Sequence, residues 1–178
     1  MQRRMLMAGA AGLASLTLAP RSFAQPAPEA QPPPEATAAP SAPPAEERAL
    51  AILMAGSFAT ASSELVLKRS RDAAVRGFAR LEMAEQAAIA RAFGSRPGRE
   101  GLMAQHEILI NKLTLADDAA FDLLYLEGQI AGHEASLRDH RAYARTGNQP
   151  MARGAAMVAV PGIETHLALL ATLSRKTE

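Results

Sequence analysis

From Glu46 onward the apolar residues return every three or four positions, which is the period of an α-helix. The first such segment spans about 47–69, with Met54, Phe58, Ala61 and Leu65 on one face. After Ser70–Asp72, a plausible N-cap region, a second runs to Phe93, with Val75, Phe78, Leu81, Ile89 and Phe93 as its apolar face. The stretch GSRPG (Gly94–Gly98) breaks the chain, and a shorter helix is predicted at about 100–114. Asp117 and Asp118 are placed to cap a long helix that reaches about Arg145 and ends at TGNQP (Thr146–Pro150). The last segment covers about 151–174, with Pro161 expected to kink it or split off its first turn. Four main helices with short connections predict an all-α, up-and-down four-helix bundle, with a short extra helix in the middle connection.

The polar positions inside this pattern carry the candidate chemistry. On the fourth segment Asp122, Gln129, His133 and His140 follow one another at spacings of seven, four and seven. At about 100° per residue they fall within about 20° of one line. Glu127, Glu134, Arg138, Arg141 and Arg145 cluster about 130° away, and apolar arcs separate the two stripes. One arc holds Leu123, Leu126, Ile130 and Leu137, and the other Phe121, Leu124, Tyr125, Ala135 and Tyr143. The seam is therefore expected to face inward, with a solvated face as the alternative. On the second segment Glu82, Glu85 and Gln86 share the apolar face, while Arg76, Arg80 and Arg91 take the other side. Carboxylates aimed at a core need a partner or a metal. His166 sits among Ala159, Ile163, Leu170 and Leu173 on the last segment, whereas Glu64 stands at the edge of its face.

Glu82, Glu85, Asp122, His133, His140 and His166 thus form a candidate metal set, accompanied by Gln86 and Gln129. Bundles hold di-iron or di-manganese ions with carboxylates and imidazoles from facing helices. Oxygen and nitrogen donors without thiolate suit iron, manganese or zinc. The competing reading is a network of histidines hydrogen-bonded to carboxylates, which would hold the helices in register without any metal.

Composition narrows the classes further. The chain has 178 residues and no cysteine, which excludes disulfides, thiolate ligands and a lipid-modified cysteine. A net charge of +1, from 19 basic and 18 acidic residues, gives no electrostatic case for nucleic acid. Residues 1–24, MQRRMLMAGAAGLASLTLAPRSFA, read as an export signal: Arg3 and Arg4, an apolar run over 5–19, then Ser22 and Ala24 before a cleavage site. That run is shorter than the roughly 20 residues a membrane-spanning helix needs, so no transmembrane helix is expected in the mature chain. An uncleaved anchor is the alternative, and the arginine pair leaves both the general and the twin-arginine routes open. Residues 25–45 are Pro- and Ala-rich and read as a disordered, semi-rigid linker, leaving 46–178 as one domain.

Three stretches give the domain a resemblance. FDLLYLEGQIAGHE (Phe121–Glu134), VPGIETHL (Val160–Leu167) and FARLEMAEQ (Phe78–Gln86) are similar to the domain-of-unknown-function family 4142. The matching positions are Phe121, Asp122, Tyr125 and His133 in the first, and Val160, Pro161, His166 and Leu167 in the second. In the third the family carries Asp-His where this chain has Glu85 and Gln86. The resemblance covers most of residues 50–173. It implies an exported, ferritin-like bundle and no established reaction. Two function classes follow. One is a periplasmic bundle with a structural, interaction or stress-related role and no catalysis, working with an envelope protein partner. The other is a ferritin-like metal protein that acts on peroxide or stores ions. Because Gln86 stands in place of the family's histidine, the hydrogen-bonded, metal-free version is the one expected.

Overall fold

The computed structural model describes residues 44–177. The export signal and nearly all of the linker lie outside these residues. Five helices follow: α1 (Ala45–Arg69), α2 (Ala73–Ala92), α3 (Ala104–Leu115), α4 (Asp118–Thr146) and α5 (Pro150–Thr177). Each lies within a few residues of its predicted span, and α1 takes in the last residue assigned to the linker. The caps are those the sequence offers. Asp72 accepts hydrogen bonds from the backbone N–H groups of Ala74 and Val75, and Asp117 accepts from Ala120. Gly94 and Gly98 adopt φ of 73° and 77°, conformations that only glycine enters readily, and this breaks the chain after α2.

Pro161 does not split α5, which runs unbroken through it. Proline removes a single donor here, the one that would have met the carbonyl of Met157, and both residues are exposed.

The four long helices form a ring in the order α1, α2, α5, α4. Hydrogen bonds and ion pairs join α1 to α4 at Arg48–Asp139, Ser62–Gln129, Ser63–Tyr125 and Ser70–Asp122, so the two run antiparallel. The α1–α2 and α4–α5 hairpins are antiparallel as well. Consequently α2 and α4 point the same way across the ring, and the connection between them must cross the length of the bundle. α3 makes that crossing along α1: His106 stacks on Phe58, and the carbonyl of Leu113 accepts from Arg69. The all-α bundle and its short extra helix are as the pattern predicts, while the order is up-down-down-up with one crossover, the ferritin-like form.

Two apolar clusters fill the interior. One holds Val66, Val75, Phe78, Leu113, Phe121, Tyr125, Leu126, Leu170 and Leu173, and the other Ile52, Phe93, Tyr143, Ala152 and Ala156. A polar layer lies between them. α1 is rotated relative to the predicted face: Ser57, Ser62 and Ser63 are buried, whereas Met54, Ala61 and Leu65 are half-buried. Leu81, expected inside, is 42% exposed. α1 and α5 are long and apolar enough to cross a membrane, with mean hydropathy of 1.6 and 1.5. Here each packs sideways in the bundle.

Candidate metal centre

The polar layer answers the question of the seam on α4. Gln129, His133 and His140 are buried and Asp122 is half-buried, so the stripe faces inward. It does not form one cluster, because its members are spread along about five turns. Glycines set the depth of its middle. Gly128 and Gly132 lie against Phe58 of α1, where a Cβ would already be in van der Waals contact with the ring.

Three side chains from three helices converge in this layer: Glu82 (α2), His133 (α4) and His166 (α5). His133 Nε2 is 3.2 Å from His166 Nδ1 and 3.3 Å from Glu82 Oε2, and His166 Nδ1 is 3.4 Å from the same oxygen. All three residues are buried, with Glu82 only 1% exposed. Glu82 Oε2 has no well-directed hydrogen bond among the described residues, although both imidazoles stand close to it.

The outward atom of each residue is occupied. His133 Nδ1 faces the Gln129 carbonyl at 2.8 Å, and a carbonyl can only accept, so this nitrogen carries the proton. His166 Nε2 faces a Glu85 oxygen at 3.3 Å and is protonated for the same reason. Glu82 Oε1 accepts from Gln86 Nε2 at 2.8 Å. The inner atoms are then three lone-pair donors aimed at one another. Such an arrangement needs a proton or a cation at its centre.

The titration tendencies agree. Burial works to raise the Glu82 pKa, but the contacts with His133 and His166 outweigh it and hold the carboxyl at about 2. Glu82 raises the His166 pKa against the effect of burial. Phe78, one turn before Glu82, roofs both imidazoles, with ring centroids 6.0 Å from His133 and 5.5 Å from His166.

The wider candidate set divides. Glu85 touches only the outer nitrogen of His166, and its side chain is 42% exposed. Asp122 lies at the far end of α4, where it accepts from Ser70 Oγ. His140 sits two turns beyond His133, its Nδ1 on the Ser136 carbonyl and its pKa lowered by burial. Its Nε2 has no hydrogen-bond partner among the described residues. It lines a cavity of about 20 Å³ together with Glu82, Gln86 and His133, room for one water.

Sequence reasoning missed Ser62, Ser63 and His106. Ser62 accepts from Gln129 Nε2, Ser63 bonds Tyr125, and His106 packs its buried ring 4.7 Å from Phe58. The serines lie in the first helical segment of the domain, and only a full wheel of α1 would have turned them inward.

The model of the family named Domain of unknown function (DUF4142) matches residues 30–173. The chain belongs to the DUF4142 family. The match begins within the stretch assigned to the linker and takes in every helix to Leu173. No curated protein and no solved structure matches the chain. A DUF4142 domain of ferritin-like order invites comparison with dinuclear carboxylate centres, which use four carboxylates and two histidines. The residues here do not fit that set. Among the described residues Glu82 is the one buried carboxylate.

Proposed function

We propose that this protein is an exported helical bundle that binds one zinc ion through Glu82, His133 and His166. The observation that carries the reading is the triangle of inner donor atoms, with edges of 3.2, 3.3 and 3.4 Å. A tetrahedral ion with bonds of about 2.0–2.1 Å sets its ligand atoms about 3.3–3.4 Å apart. An octahedral ion at that bond length would draw neighbouring ligand atoms to about 2.9 Å. The triangle therefore fits a tetrahedral ion of zinc's bond length, and zinc is the ion proposed. The outer contacts of Gln129, Glu85 and Gln86 are the kind that orient first ligands and fix the histidine tautomers. Three protein ligands leave a fourth position open, as zinc sites with a reactive or exchangeable position do.

The raised His166 pKa favours a second state of the same residues. Without an ion, a proton on His166 bridges to Glu82, and the layer acts as a register device between helices. Zinc displaces that proton.

Zinc titration of the full chain, followed by calorimetry and melting, separates the two. The expected outcome is one zinc per chain and a stabilisation of about 2.7 kcal/mol at a hundredfold excess over Kd. His133→Ala and His166→Ala should abolish binding, while Asp122→Ala and His140→Ala should keep the stoichiometry. A melting temperature indifferent to zinc and chelator would return the layer to a structural role. Export is tested on the secreted form, whose N-terminus is expected at Gln25. An intact Met1 in the membrane fraction would refute it.

A further inference from the structure

α2 and α5 do not close on each other below the three-residue cluster. A groove of about 300 Å³ opens between them, walled by Ile89, Val158, Ala159 and Gly162. Its polar groups gather at one end, where His133 and His166 form the wall together with Glu85 and Gln86. The volume lies at the small end of the range for small-molecule sites, about 300–1,000 Å³. It suits one short amphiphile.

We infer that the groove holds a small molecule with an unbranched apolar tail and a monoanionic, oxygen-donor head of the carboxylate class. The head takes the fourth position of the ion, and the tail lies along Ile89 and Val158. This rests on the zinc reading above. Two of the three ligands, His133 and His166, form part of the groove wall, and the head enters from this side. Charge selects the head. Among the ion's ligands Glu82 is the one anion and offsets one of its two positive charges, so a monoanionic head brings the set to neutrality and a doubly charged head overshoots it. The walls offer the tail small or aliphatic side chains, and burying it supplies the affinity that a bare carboxylate lacks.

Gly162 supplies the decisive variant. Gly162 lines the groove and a Cβ built there meets no heavy atom within 4 Å, so Gly162→Phe is expected to fill part of the groove. Zinc affinity is measured first, in wild type and variant. The chain is then loaded with cobalt, whose visible spectrum reports its ligands, and titrated with octanoate, acetate, octanol and succinate. Octanoate should bind saturably and change the cobalt spectrum, at least about tenfold more tightly than acetate, octanol or succinate. Gly162→Phe should lose at least about tenfold in octanoate affinity and keep its zinc affinity within about twofold. Octanoate binding that leaves the spectrum unchanged, or that survives Gly162→Phe, would overturn the inference. So would a wild-type dimer that Gly162→Phe dissociates, which would assign the groove to a second copy. Zinc binding without octanoate binding removes this inference alone, whereas absence of zinc binding removes the metal reading and this inference with it.

Discussion

Glu82 keeps its charge in a place where burial works against it, because two imidazoles stand within 3.4 Å. In the ion-free protein this makes stability depend on pH from both sides. Glu82, held at about 2 against a usual 4.5, stabilises the fold above pH 4.5 and loses that contribution as pH falls toward 2. His166, raised above 6.5, stabilises below pH 6.5 and loses its contribution as pH rises through the raised value. Chelator-treated protein should therefore melt highest between about pH 4.5 and 6.5. His166→Ala should flatten the alkaline limb and lower ion-free stability by about 3–5 kcal/mol, since the Glu82 charge stays buried with one partner fewer. A melting temperature that is flat from pH 4 to 8 would contradict the pairing. At this scale the sequence was readable where charge contrasted with its surroundings. Glu82 and His166 stood out on apolar faces, and His133 lay opposite a dense charged stripe. Distances between helices are absent from any wheel, so Asp122 and His140 entered the candidate set although two turns or more of α4 separate them from His133.

At the scale of the element, α1 contributes no ligand, yet it backs the cluster through a glycine. A Cβ on Gly56 would come within 2.5 Å of Gln86 Oε1, the amide whose nitrogen holds Glu82. Gly56→Ala should raise helix propensity in α1 by about 0.8–1.0 kcal/mol and push the Gln86 side chain aside. The expected result is unchanged or slightly higher ion-free stability together with a zinc affinity about 10–100-fold weaker, the usual cost of losing an outer partner of a metal ligand. Gln86→Ala should weaken zinc equally without the gain in stability. Zinc affinity unaffected by both variants would remove Gln86 from the site. The helices were legible as elements because breaks and caps are explicit in the chain: glycines after α2, Asp72 and Asp117 at two N-termini. The inward face of α1 was not. Its buried serines satisfy their hydroxyls on carbonyls three or four residues back and on partners in α4, so polar residues occupy positions that periodicity assigns to solvent.

Across the whole molecule the seams are unequal. α1 and α4 are tied by Ser62–Gln129, Ser63–Tyr125, Ser70–Asp122 and Arg48–Asp139, which span most of their length. α2 and α5 are parted by the groove, and their polar link is Glu82 and Glu85 on His166. An ion held by Glu82, His133 and His166 would join α2, α4 and α5 at one point, between two apolar clusters that do not otherwise merge. Its removal should loosen the bundle locally, because regions with few buried contacts open first. Hydrogen exchange with zinc and with chelator tests this. Protection should fall on chelation in the turns around Glu82–Ile89 and Ala155–His166, and stay nearly constant in the α1 and α4 turns that carry Ser62, Ser63, Tyr125 and Gln129. A uniform loss across all helices would mean that the ion stabilises a single cooperative unit. No change anywhere would mean that the layer holds α2 to α5 without an ion, through the His166 proton.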